Sequence, residues 1–137
     1  MCVKLRTAKV KPGSIFGFKT SKGVSSGIWG LNKGNQYNAR SERLDGIWKE
    51  LKRAVIYVDS FWEGGVEFKK ADGGDFAIGV IFNTSKEFAV LTCAANDVVK
   101  PYHERMPFVI DDSKISDWLE NGNVLQLHQD QILLAAA

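Results

Sequence analysis

The second residue of this chain is a cysteine. Aminopeptidases remove an initiator Met when the next residue is small, and Cys2 qualifies. The mature chain then starts with an amine and a thiol two carbons apart. The amine titrates near about 8 and a free thiol near about 8.5, so both nucleophiles are partly available at neutral pH. An aldehyde meets the amine first and gives a Schiff base. The thiol then closes a five-membered thiazolidine ring. No other position in a chain can do this, because only the first residue carries both groups. The plainer reading of Cys2 is a small apolar residue that starts a strand.

Three further clusters carry chemistry. Asn38 to Glu42 reads NARSE. Asn38 can orient an amine by hydrogen bonding, and Arg40 can grip a phosphate with two donors. Phe61 to Gly64 reads FWEG, directly after an apolar run. A carboxylate such as Glu63, at a strand end beside two aromatics, acquires a raised pKa and can move protons. His103 to Pro107 reads HERMP. His103 suits acid–base work near neutral pH, and Arg105 can bind phosphate or fix the loop. Trp29 and Trp62 lie beside Gly-rich segments and could stack on bases, whereas Trp48 and Trp118 sit on inward helix faces. Taken singly, each cluster has a plainer reading as a turn, a surface carboxylate or a loop histidine.

These residues need elements to hold them. The first ten residues alternate loosely and predict a strand. Residues 11–27 read as a Gly/Ser/Lys loop around Ile15–Phe18, and residues 32–40 as polar turns. Ser41 is placed to cap a helix to about Arg53, with Leu44, Ile47, Trp48 and Leu51 on one face. RAVIYV predicts a buried strand, followed by a DSFWEGG loop. Strand-like runs follow at Phe68, Phe76–Phe82 and Phe88–Ala94, with NTSKE as a hairpin turn between the last two. After FVI, Asp111 or Asp112 caps a second helix with Ile115, Trp118 and Leu119 inward. The tail from Val124 is apolar and unplaced. The sum is an α+β fold: one strand-rich domain over 1–137, mostly antiparallel, with few helices.

Composition narrows the classes. The chain has 137 residues, enough for one domain with a real core, and 45% of them are hydrophobic. No apolar run is long enough for a bilayer, and the basic start lacks a secretory h-region, so a cytoplasmic protein is expected. Cys2 and Cys93 are the only cysteines, which argues for free thiols. With His103 and His128 they are too scattered for a zinc site, and no GxGxxG or P-loop supports a nucleotide; no cofactor and no metal are expected. Residues 1–70 hold 14 Lys/Arg against 6 Asp/Glu, and residues 71–137 hold 4 against 10. A basic half suits a polyanion, or else pairs with the acidic half in the fold.

The order of the motifs is more specific than any one of them. Met1–Cys2, Trp29–Gly30–Leu31, Asn38–Glu42, Phe61–Trp62–Glu63, the LTxxAN run Leu91–Asn96, His103–Pro107 and Trp118–Leu119 follow one another. This order resembles the SOS response-associated peptidase family, the abasic-site processing proteins, from residue 1 to about 120. The resemblance implies a barrel-like strand-rich fold. It implies a DNA-damage function: a covalent thiazolidine crosslink to abasic sites in single-stranded DNA, after autocatalytic or aminopeptidase removal of Met1. Lyase chemistry on the same Schiff base is compatible with it. Cys2 then forms the crosslink, Asn38 holds the new terminus, and Glu63 and His103 act as acid and base. Lys4, Trp29, Arg40, Trp62 and Arg105 would contact DNA.

Two departures stand out. Val3–Lys4 replace the family's Gly-Arg, so a bidentate phosphate grip is lost. Gly64 stands where an aromatic wall is usual. The chain is also short, as in a compact member carried by a virus or mobile element; a monomer near the nucleoid is expected. Two other readings compete: a non-covalent single-stranded DNA-binding module that kept the fold and lost the chemistry, and an N-terminal-nucleophile amidase.

Overall fold

The protein was analysed as a computed structural model, which describes residues 4–6, 12–127 and 131–134. Among the described residues, twelve strands carry the fold: β1 (Lys4–Arg6), β2 (Ile15–Thr20), β3 (Gly23–Trp29), β4 (Asn38–Arg40), β5 (Lys52–Val58), β6 (Ser60–Glu63), β7 (Val66–Lys70), β8 (Phe76–Phe82), β9 (Glu87–Ala94), β10 (Arg105–Pro107), β11 (Val109–Ile110) and β12 (Ile132–Leu134). Strands β9, β3, β2, β5 and β8 hydrogen-bond in sequence, and β8 pairs back onto β9, which closes a ring. A second sheet runs β1-β6-β7-β12. No helix among the described residues is long and apolar enough to cross a membrane.

The innermost strands read as their burial requires. Every residue of β8, FAIGVIF, is buried, and so is nearly all of β9. Continuous apolar runs of this kind belong to strands covered on both faces. The expected NTSKE turn joins them, with Asn83 Oδ1 accepting from the amides of Ser85 and Glu87. Ring closure depends on Gly27. A Cβ there would strike the Lys86 carbonyl and the Phe18 ring, whereas glycine lets Ile28 N–H donate to that carbonyl at 2.8 Å.

Three sequence expectations are corrected. Residues 15–29 form the β2–β3 hairpin rather than a loop. Phe18 and Trp29 point into the core, and the Ser, Gly and Lys residues that suggested a loop largely occupy the solvent side. No helix spans 41–53. A 3₁₀ turn at Ser41–Arg43 is followed by single turns such as Lys49 N–H to the Gly46 carbonyl. Gly46 lowers helix stability by about 1 kcal/mol relative to Ala, and the chain must be extended by Lys52 to enter β5. The FWEGG segment is β6 plus a hairpin turn into β7; Gly64 and Gly65 supply the φ values of 59° and 78° that a two-residue turn of this hand demands. The sheets are mostly antiparallel, as expected, with β3 and β4 running parallel to β9. The second helix forms at Ile115–Leu119 after a 3₁₀ turn at Asp112–Lys114, and it is that turn which Asp111 caps, its carboxylate accepting from Ser113 N–H.

Candidate functional site

The sequence clusters meet at one end of β9. Asn38–Arg40 in β4 lie against Val90–Thr92 on one edge of β9, and Arg105–Pro107 in β10 lie against Thr92–Ala94 on the other. Across this strand the Arg105 guanidinium forms two bonds to the Glu42 carboxylate, at 2.6 and 2.8 Å. It also donates to Thr92 O and Oγ1 at 2.9 and 3.1 Å. NARSE and HERMP are therefore one unit, tied by a planar ion pair. Arg105 holds the Glu42 carboxyl down at about 2.

The FWEG hairpin docks on the same loop. Gly64 sits so close to Tyr102 that any Cβ would collide with the Tyr102 carbonyl. The glycine that departs from the family pattern is thus what lets β6 approach His103. The imidazole is fixed from below: Nδ1 accepts from Arg105 N–H at 3.0 Å and lies 3.1 Å from Arg105 O. The loop itself is built by Asn96, whose Oδ1 accepts from the amides of Val98 and Val99, with Val99 O accepting from Tyr102 and His103. Asn96 was visible only as the last letter of LTxxAN; its positioning role was not.

Glu63 is 3% exposed. Burial pushes its carboxyl up to about 7, and the nearby His103 charge pulls the other way. One of its oxygens, Oε2, has no hydrogen-bond partner among the described residues, and neither have Asn38 Oδ1 and Asn96 Nδ2. Orphaned buried polar atoms of this kind cost free energy that a bound group can recover. By contrast Cys93 is inert: burial pushes its thiol up to about 12, and it donates to Gln126 Oε1 at 2.8 Å.

The chain start reaches this end of the molecule. β1 is antiparallel to β6, with Lys4 opposite Trp62 and Leu5 opposite Phe61. The Cys2 assignment and the side chain of Lys4 lie outside the described residues, as does His128.

Two residues expected to contact DNA are buried. Trp29 is 1% exposed, stacks on Phe88 and donates its indole N–H to the Tyr37 carbonyl at 2.8 Å, so no face is free for a base. Arg105 is buried in its pair with Glu42. Its role is to tie motifs together. Trp62 is half-buried and Arg40 exposed.

A sequence model of the SOS response associated peptidase (SRAP) family matches residues 26–137. The chain belongs to this family. Membership associates it with the response to DNA damage and, at family level, with abasic sites and peptidase-like processing. Solved structures share the fold. A protein from Bordetella bronchiseptica is 21% identical with a TM-score of 0.73, covering 96% of this chain and 89% of that one. A protein from Bacteroides thetaiotaomicron is 16% identical with a TM-score of 0.71, covering 89% and 73%. A phage-related protein of Bordetella bronchiseptica is 13% identical with a TM-score of 0.68, covering 92% and 79%. No curated protein matches the sequence significantly.

The ion pair makes a first prediction. Glu42→Ala strands the Arg105 charge in a buried site. Because Glu42 is half-exposed, the cost is discounted to about 2 kcal/mol, measured by urea denaturation. The pair's contribution is full above the ordinary carboxyl pKa and is lost as pH falls toward about 2, so the difference between Glu42→Ala and the parent should shrink in acid. An undiminished difference at low pH would contradict this assignment.

Proposed function

We propose that this protein bonds covalently, through the amine and thiol of Cys2, to the aldehyde of an abasic site in single-stranded DNA. The observation that carries the reading is the convergence of FWEG, NARSE and HERMP on one end of the fold, with the buried Glu63 carboxyl poised near neutrality beside His103. Two residues of chain span at most about 7 Å. Cys2, two residues before Lys4, therefore has the end of β6 within its reach.

The steps follow from the chemistry of the groups. Water hydrolyses the Met1–Cys2 peptide bond and frees the amine. The amine adds to the aldehyde carbon to give a carbinolamine. Glu63, with a proton available near neutral pH, protonates the departing hydroxyl, and one water leaves as the imine forms. The thiol proton passes to the imine nitrogen, with His103 as relay, while sulfur bonds to the same carbon. The net change is one water lost per crosslink. Asn38, with Oδ1 free among the described residues, accepts from the terminal amine and holds it in place.

Arg40 and Lys4 contact phosphates, and the half-buried Trp62 offers a ring to a neighbouring base. Affinity should fall steeply with salt and depend little on sequence, because the target lacks its base. The working form is a cytoplasmic monomer.

The test uses two oligonucleotides on a denaturing gel. One carries an abasic site; the other carries the tetrahydrofuran analogue, which has the same sugar backbone but no aldehyde. The first should give a shifted band that survives denaturation, and the second none. Equal bands on both, or none on the first with Met1-free protein, would refute the reading. A protein extended before Met1 and left uncleaved should give no band; unimpaired adduct there would remove the amine from the mechanism.

A further inference from the structure

Among the described residues, a cluster of positive charge lies away from the candidate site. An open cleft of about 550 Å³ is formed by the turn between β2 and β3, the segment entering β5, the turn between β8 and β9, Leu119 at the end of the last helix and Asn121 just beyond it. Five cations line it, Lys22, Lys49, Lys52, Arg53 and Lys86, against one carboxylate, Glu50. They come from three separate stretches of sequence, so the charge is assembled by the fold.

These cations are not spent on structure, with one exception. Arg53 stacks over the Trp118 ring and donates to the Trp118 and Gly122 carbonyls, so it forms the cleft floor. The four lysines are exposed, and none has an ion-pair partner among the described residues. Lys86 makes only a 3.3 Å bond to Ser25 Oγ and lies over the Phe82 ring. Like charges gathered in a concave surface repel one another and focus a positive potential, an arrangement suited to an anion. Ammonium groups on flexible stems bind phosphate as point charges, without a fixed geometry. The remaining lining mixes small polar residues, Thr20, Ser21 and Ser25, with apolar ones, Val24, Leu51, Phe82 and Leu119, so the cations supply the recognition and the hydroxyls can add hydrogen bonds to a sugar-phosphate chain.

The cleft sits at the opposite end of β9 from the candidate site. Lys86 precedes the first residue of that strand, and Ala94, its last, pairs with Arg105. Eight extended residues rise about 25 Å. We propose that this cleft is a second phosphate-binding site, which takes the backbone of the same single-stranded nucleic acid several nucleotides from the abasic position. The proposal rests on the DNA reading above and deepens it, because it says where the strand goes beyond the candidate site.

The test uses the full chain with Lys22, Lys49 and Lys52 changed to Gln together, beside a variant with all three changed to Arg. Binding to undamaged single strands of roughly 5 and roughly 20 nucleotides is followed against salt. Each lost phosphate contact lowers the salt slope by about 0.7 on single strands. The Gln variant should lose about 2 from its slope on the long strand and almost nothing on the short one. The Arg variant should keep the parental slope. Crosslinking of a short abasic oligonucleotide should be unchanged in both, which also reports that they fold. A parent that crosslinks but whose long-strand slope matches that of the Gln variant would overturn the cleft and leave the crosslinking proposal standing. Inorganic phosphate that abolishes the parent–variant difference at concentrations where the short-strand affinity is untouched would make the cleft a simple anion pocket, and would also overturn it. A parent that never crosslinks yet shows the expected slope difference would sink the crosslinking proposal alone.

Discussion

Replacing Cys2 by Ala should abolish the denaturation-stable adduct while leaving non-covalent binding to single-stranded DNA nearly unchanged. Alanine keeps the amine after Met1 is removed, so a Schiff base can still form. It lacks the sulfur that closes the ring, and an imine hydrolyses where a thiazolidine persists. Cys2→Ser separates the roles further: its hydroxyl is a far weaker nucleophile than a thiol with a pKa near about 8.5. Its adduct should be trapped by borohydride yet vanish without it. A Cys2→Ser adduct as durable as the parent's would show that the ring is not what stabilises the product. A Cys2→Ala protein that holds abasic DNA as durably would favour a non-covalent module.

Glu63→Gln should act on rate and stability in opposite directions. The side chain is 3% exposed and its carboxyl is pushed up to about 7 by burial. Removing its proton transfer should slow adduct formation by roughly 10² or more, with DNA affinity preserved. In the parent, adduct formation should weaken as pH rises through about 7, because the carboxyl then loses the proton it donates. The stability effect follows from the same shift. Between the unfolded value near about 4.5 and the folded value near about 7, the folded state holds a proton that the unfolded state has released. Parental stability therefore falls as pH rises across that window, by up to about 3 kcal/mol. Gln removes the penalty, so Glu63→Gln should be the more stable protein at about pH 8 and show little advantage at about pH 4. Urea midpoints at the two pH values check this. A variant destabilised at both would make Glu63 a structural carboxylate, and equal losses of rate and affinity would say the same.

The motifs were legible in the sequence because their residue types are chemically unusual in combination. Their connections were not. Glu42 reads as the last letter of NARSE, and only the placement of β4 and β10 on opposite edges of β9 shows that it anchors Arg105. Arg105 and Trp29 look like DNA contacts by type, yet long-range strand pairing turns both inward. Gly64 reads as a lost aromatic; its close approach to Tyr102 appears only when two distant loops meet. The buried strands β5, β8 and β9 were read correctly because a continuous apolar run needs no partner to be recognised. The β2–β3 hairpin was hidden by its glycines and solvent-facing serines, and the expected helix after Ser41 is interrupted at Gly46. The plain alternative for the charge asymmetry, pairing of the basic half with the acidic half, holds for Lys70 with Asp112 but not for the cleft lysines, and Arg105 with Glu42 pairs in the opposite sense.

The most direct measurement is the intact mass of purified, Met1-free protein before and after incubation with a short abasic single-stranded oligonucleotide. The proposed chemistry predicts addition of one oligonucleotide per chain with loss of one water, confined by fragmentation to Cys2. A Met1-free protein whose mass stays unchanged, or an adduct mapped to a lysine, would contradict it.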